Sequence, residues 1–269
     1  YRNRAVTDLY EPGSVFKVIT MSAALNEGLV SPQSTYVDEG VAYASGWTIT
    51  NWDLGAHGVQ TATQILTKSL NTGAVWLSQL LGSDRFYDYV QRFGFAQTTG
   101  VGLSGEAPGQ VRTPADEGWS EVDMATNSFG QGVNVTPLQL ITAISTIAND
   151  GRLMRPYVVQ EIRRGDDSEV TQPLMVRQVI TAETAHTLTE MMKAVVDGIT
   201  TIYAISVPGY RVAGKTGTAS ISVPGGYKPD AYIASFAGFV PSDDPVLAML
   251  VKIDEPKDVP WGSAVCAPV

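Results

Sequence analysis

Three short patterns in the sequence carry groups suited to acyl transfer: Ser14-Val15-Phe16-Lys17, Ser69-Leu70-Asn71 and Lys215-Thr216-Gly217-Thr218. A serine hydroxyl is a weak nucleophile until a base takes its proton. On a helix, residues i and i+3 share a face, so Lys17 can reach the Ser14 hydroxyl. Lysine is such a base only when neutral, which requires burial or a like charge nearby. A second ammonium such as Lys215 at ~4 Å would supply roughly 4 kcal/mol at an effective dielectric of about 20, enough to lower a pKa by about three. Ser69 offers a proton shuttle, and Asn71 an amide to hold substrate or Lys17. Thr216 and Thr218 hydroxyls beside the Lys215 ammonium suit a terminal carboxylate, while Gly217 would let a ligand backbone approach a strand edge. A helix starting at Ser14 also turns backbone N–H groups and its positive dipole end toward the reacting centre.

Each pattern alone has a plain structural reading. Ser14 and Lys17 could be a cap and a solvated lysine, Ser69 and Asn71 helix-capping groups, and Lys215-Thr216-Gly217 the turn at a strand end. Composition separates chance from design. From 19 Ser, 7 Lys and 7 Asn in 269 residues, Ser-x-x-Lys and Ser-x-Asn are each expected about 0.5 times, and Lys-Thr-Gly only about 0.06 times. All three together are expected about 0.02 times.

The elements that must position these groups follow from patterning. Ser14 to Asn26 reads as a buried helix stopped by Gly28. Between Leu29 and about residue 135, turn-rich stretches alternate with helical patterns at Thr61 to Lys68, Thr72 to Leu81 and Ser83 to Phe93, giving a mostly helical subdomain. Thr136-Pro137 opens another helix, ended by Asn149-Asp150-Gly151, and Thr181 caps one running through Met191-Met192 to Gly198. Tyr157 to Ile162 and Met175 to Ile180 flank Gly165-Asp166-Asp167, a hairpin signal. Tyr210 to Lys215, Tyr232 to Val240 and Val246 to Ile253 read as consecutive antiparallel strands. The expected fold class is α+β, an antiparallel sheet flanked by helices with a mostly helical subdomain. Met191-Met192 reads as core filling, and Trp47, Trp52 and Trp119 as packing for the helical subdomain.

Composition removes other classes. The net charge is −9, and no Lys/Arg run exceeds two residues, so a nucleic-acid partner has no electrostatic footprint. The longest apolar run, about Val246 to Val251, is far below the roughly 20 residues that span a bilayer. One cysteine and two histidines, His57 and His186, make neither a disulfide framework nor a Cys/His zinc site. The expectation is catalysis by side chains, with no cofactor and no metal.

The three patterns together are those of penicillin-binding proteins and serine β-lactamases. Asn3-Arg4-Ala5-Val6-Thr7 through Glu11-Pro12-Gly13-Ser14, Phe86 to Phe95, Ser128-Phe129-Gly130-Gln131-Gly132 with Val135-Thr136-Pro137-Leu138-Gln139, and Val207 to Lys215 resemble class B penicillin-binding proteins. The flavour is that of the division or sporulation transpeptidases. The resemblance implies a serine D,D-transpeptidase that cross-links peptidoglycan: Ser14 attacks the D-Ala-D-Ala bond of a stem peptide, D-Ala leaves, and an amine of a neighbouring stem takes the acyl group. It implies Lys17 as base for Ser14, Ser69 and Asn71 in proton transfer and substrate holding, and Lys215, Thr216 and Thr218 as carboxylate binders. The backbone N–H groups of Ser14 and Thr218 would form the oxyanion hole. β-Lactams should trap Ser14, and a glycosyltransferase and division proteins are the partners implied for the full-length protein.

In that family, strands precede the Ser-x-x-Lys helix and a helix follows the last strand. Residues 1–269 therefore read as a transpeptidase domain truncated at both ends, its sheet incomplete at the N-terminus. An upstream membrane anchor and pedestal would hold it at the extracytoplasmic face of the membrane. A D,D-carboxypeptidase would use the same residues, and a β-lactam sensor or scaffold would acylate once without turnover. A β-lactamase is disfavoured because no Glu-x-x-Leu-Asn follows Ser69, and a Ser-His-Asp hydrolase would have to use His57.

Overall fold

The computed structural model describes residues 2–203 and 206–269; Tyr1, Ala204 and Ile205 lie outside it. A short helix α1 (Arg4–Thr7), capped by the Asn3 side chain, precedes a 3-10 turn at Gly13–Phe16 that runs directly into α2 (Lys17–Asn26). Nearly every residue of α2 is buried, from Lys17 to Ala24. Its polar residues Lys17, Thr20 and Ser22 are buried with their hydrogen-bond partners among the apolar ones, as a central helix requires.

Two small antiparallel pairs follow. Strands β1 (Thr35–Asp38) and β4 (Gly58–Thr61) bracket the hairpin of β2 (Val41–Ala44) and β3 (Trp47–Thr50). Ser45 and Gly46, both at positive φ, make its two-residue turn. Helix α3 (Ala62–Thr67) opens on a capping box of Thr61 and Gln64. Helix α4 (Asn71–Arg92) is broken at Gly82, whose backbone is non-helical, as the separate patterns on either side of that residue indicate. Then come β5 (Gln110–Val111), α5 (Glu121–Asn127) and β6 (Val133–Asn134), followed by α6 (Pro137–Ala148), which has Pro137 in its first turn and Thr136 boxed with Gln139.

The hairpin expected between residues 157–162 and 175–180 forms differently. Strand β8 (Glu161–Arg164) pairs with β9 (Asp167–Val170) across Gly165-Asp166, whereas β10 (Met175–Gln178) pairs with β7 (Arg152–Met154). A two-residue turn pairs its immediate flanks, and Pro173 separates β9 from the run that follows it. Helix α7 (Ala182–Tyr203) begins where Thr181 Oγ1 accepts from Thr184 N and continues past Gly198, five residues beyond the expected stop. Glycine lowers helix propensity without ending a helix already held by packing.

The central sheet is antiparallel in the order β11 (Ala213–Val223), β12 (Gly226–Val240), β13 (Leu247–Asp254). Strand β11 starts at Ala213 instead of Tyr210, and it extends with β12 far past the expected ends. Register slips between Ser220 and Ser222. That slip loops out the stretch of β12 containing Pro229, which cannot donate to a ladder. Helix α7 lies along β11 and α6 across β12 and β13, while α8 (Gly262–Val265) packs on β11 and β12. One apolar cluster joins α2, α4, α6 and α7 to Ala213, Ala237 and Phe239 of the sheet, with the buried Met191 and Met192 inside it. The mixed α+β architecture is the expected one.

Candidate active site

Helix α2, the start of α4 and strand β11 bring all three sequence patterns to one point. Lys17 Nζ lies within hydrogen-bond distance of four oxygens: Ser14 Oγ at 3.0 Å, Ser69 O at 2.5 Å, Ser69 Oγ at 3.3 Å and Asn71 Oδ1 at 2.8 Å. Lys215 Nζ donates to the same Ser69 hydroxyl at 3.1 Å and to Thr216 O at 3.0 Å. Both lysines are fully buried, whereas Ser14, Ser69, Asn71, Thr216 and Thr218 keep partial access to solvent.

Burial, and secondarily the Lys215 charge, hold the Lys17 amine well below its ordinary pKa. Burial lowers Lys215 to about 7. Of the two causes the sequence offers, burial thus outranks the like charge. The Ser69 carbonyl and the Asn71 Oδ1 can only accept, so a neutral Lys17 spends its two N–H groups on them. Its lone pair is left for the Ser14 hydroxyl.

Backbone contacts fix the nucleophile turn. Gly13 sits at φ 55° and donates its N–H to Gly130 O at 3.1 Å. A Cβ on Gly13 would meet Thr218 O at 2.9 Å, and one on Gly130 would meet Gly13 O at 2.2 Å. None of the three patterns includes Gly130; in the sequence it is marked by its place in the Ser128–Gly132 stretch that carries the resemblance. At Gly217, too, the room a Cβ would need is filled, by Ser235 Oγ, Pro12 O and Val15 Cγ2. Its bare Cα lets β11 press on the nucleophile turn.

The hydroxyl of Thr218 accepts from Gly262 N at 3.2 Å, tying α8 to β11. Gly262 fits against the Ser235 and Gly217 carbonyls, where a Cβ would come within 2.4 Å. Strand β11 is an edge of its sheet, and among the described residues no strand pairs with its outer side. Trp52 and Trp47 do not pack the helical region as expected: they are 56% and 68% exposed. Trp52 donates to Lys68 O and meets Trp261 edge-on at a centroid distance of 5.4 Å. Trp119 does pack, donating to Tyr87 OH. His57 lies beside Asp53 and His186 beside Asp150, and neither contacts Ser14. Among the described residues no group of three His, Cys, Asp or Glu could hold a metal ion.

The family model described as the penicillin binding protein transpeptidase domain matches residues 1–269, and the chain belongs to that family. Over its whole length it is 40% identical to stage V sporulation protein D of Bacillus subtilis, of which it covers 42%. It is 35% identical to the peptidoglycan D,D-transpeptidase FtsI of Escherichia coli, covering 43% of that protein. The chain thus spans less than half the length of these curated relatives. Penicillin-binding protein 3 of Mycobacterium tuberculosis, solved in complex with ampicillin, superimposes with a TM-score of 0.89 at 35% identity, over 99% of this chain and 61% of that one.

Proposed function

We propose that this chain is the catalytic part of a peptidoglycan D,D-transpeptidase that works through an acyl-enzyme on Ser14. The observation that carries the reading is a buried, neutral-leaning Lys17 amine 3.0 Å from Ser14 Oγ. Lys17 takes the hydroxyl proton as Ser14 Oγ attacks the carbonyl of the D-Ala-D-Ala bond of a stem peptide. The Oγ–C bond forms, and the oxyanion settles against the Ser14 and Thr218 backbone N–H groups beside the nucleophile turn. As the oxyanion collapses, the C–N bond to the terminal D-Ala breaks, and the proton held on Lys17 passes through Ser69, held by Lys215, to the departing amine. A neighbouring stem's amine then attacks the ester carbonyl; the Oγ–C bond breaks, and the proton that amine gives up returns through Lys17 to Ser14 Oγ. Asn71 holds Lys17, and the open edge of β11 pairs with the extended stem peptide. Lys215, Thr216 and Thr218 receive its terminal carboxylate, with Gly217 keeping the strand close to the turn.

β-Lactams enter the same reading as substrate mimics that leave Ser14 acylated. By family resemblance, residues 1–269 form one transpeptidase domain, with residues 29–135 its helical subdomain. The full-length protein then works at the extracytoplasmic face of the membrane beside a glycosyltransferase and division proteins. Among the described residues, no helix is long and apolar enough to cross a membrane.

Intact-mass measurement after incubation with a penicillin tests the nucleophile. One adduct that persists for hours on the parent and is absent from Ser14→Ala is the expected result. An adduct retained by Ser14→Ala, or none on a folded parent, overturns the reading.

A further inference from the structure

Behind the catalytic cluster lies a buried polar network that none of the sequence patterns includes. Asp38, at the end of β1, is 1% exposed. Its Oδ1 accepts from Gly40 N at 2.9 Å and Thr72 Oγ1 at 2.8 Å, and both carboxylate oxygens accept from Asn51 Nδ2, at 3.1 and 2.9 Å. The same Nδ2 donates to Gly55 O at 3.1 Å. With its donors committed, the Asn51 amide turns its oxygen the other way, where Oδ1 accepts from Asn71 N at 2.9 Å and Thr72 N at 3.3 Å.

Those two N–H groups begin α4, whose own N-cap residue, Leu70, supplies no side-chain acceptor. The adjacent Thr50 carbonyl accepts from Asn71 Nδ2 at 2.9 Å. Asn71 is therefore held at its backbone by Asn51 and at its side chain by Thr50, which leaves its Oδ1 facing Lys17 Nζ.

We propose that Asp38 and Asn51 are positioning residues for the acyl transfer: the buried carboxylate fixes which end of the Asn51 amide meets α4, and thereby holds Asn71 against Lys17. The inference rests on the Ser14–Lys17 reading above. An ionised carboxylate only accepts, so it admits one orientation of Asn51. A carboxamide at position 38 has a donor end as well. It lets Asn51 flip and bring its NH₂ against the Asn71 N–H, so that two donors face each other and the start of α4 loosens.

The test is the second-order rate of acylation by a penicillin, measured against pH, with thermal melting alongside. Asp38→Asn should slow acylation at least tenfold in folded protein. It should also move the acid limb of the pH profile lower, because Lys17 loses an acceptor that favours its ammonium form. The other charged group facing Lys17, Lys215, is unchanged by this substitution. The exchange variant Asp38→Asn with Asn51→Asp restores an acceptor toward Asn71 N and a donor to meet it, and should recover part of the rate. Should Asp38→Asn fail to fold, Thr72→Val, which removes one donor to Asp38, should give the same two shifts with smaller size. A folded variant with the parent's rate and limb overturns the proposal, as does a rate that drops only with the folded fraction or an exchange variant no faster than Asp38→Asn. A parent that is never acylated instead refutes the Ser14 reading itself.

Discussion

Lys17 has more oxygens around it than protons to give. Four lie within 3.3 Å of Nζ, and an ammonium has three N–H groups. Buried without a carboxylate, the amine leans toward the neutral form that deprotonation of Ser14 requires. Because its folded pKa lies below the ordinary 10.5, acylation should rise with pH through that lowered value. It should fall again as Lys215, needed as a cation for the substrate carboxylate, loses its proton near pH 7. Replacing Lys215 by Met removes the like charge, so the Lys17 pKa rises and the acid limb moves to higher pH. The move is partial, since burial is the larger cause. Penicillin acylation rates between pH 4 and 9 check this, and a limb that stays in place in the Met variant refutes the coupling. The residue types of this site were legible in the sequence, because their chemistry and spacing are local. Burial of both lysines was not, nor were Asp38 and Asn51, which no short pattern links to Asn71 and which meet it only through the fold.

At the scale of elements, the nucleophile's position depends on backbone pressed to backbone. Gly13, Gly130 and Gly217 leave no space for a Cβ between the 3-10 turn, the loop after α5 and strand β11. Gly130→Ala should therefore cost at least about 2 kcal/mol, from strain at positive φ together with overlap on Gly13. Acylation should fall at least tenfold in the molecules that still fold. Gly165→Ala is the matched comparison, since it also has positive φ but nothing lies within 4 Å of its Cβ; it should cost about 1 kcal/mol and leave acylation unchanged. Melting curves and acylation rates for the pair decide the matter, and equal effects would refute the argument. Elements with strong local signals were legible: the buried α2, the helical pattern of α3, the break at Gly82 in α4, the capped starts of α6 and α7. Pairings were less so. The Gly165 turn was visible, but the partner of residues 175–178 proved to be β7, twenty residues upstream, a choice that side-chain alternation does not encode. The long tip of the β11–β12 hairpin was hidden because Pro229 argues against a strand, and only the register slip accommodates it.

For the whole molecule, one apolar cluster runs from Tyr10 beneath the nucleophile turn, through Leu77 and Phe93 of the helical region, to Phe239 in the sheet. A continuous core should make the two regions unfold as one cooperative unit. Phe239 is 2% exposed, so Phe239→Ala should cost about 3–5 kcal/mol. The loss should appear as a single transition, at one denaturant midpoint by circular dichroism and by tryptophan emission alike. Two separate midpoints would refute it. Tryptophan emission has a second use here. Trp52 is anchored to the carbonyl next to Ser69, and Trp261 adjoins the residue that holds Thr218, so the edge-on indole pair links the Ser69 side of the site to its Thr218 side. Two chromophores in van der Waals range exchange excitation, and parting them alters their spectrum. The protein thus carries an intrinsic optical gauge of the spacing between these two sides of its site, readable without any label and before any covalent chemistry has begun.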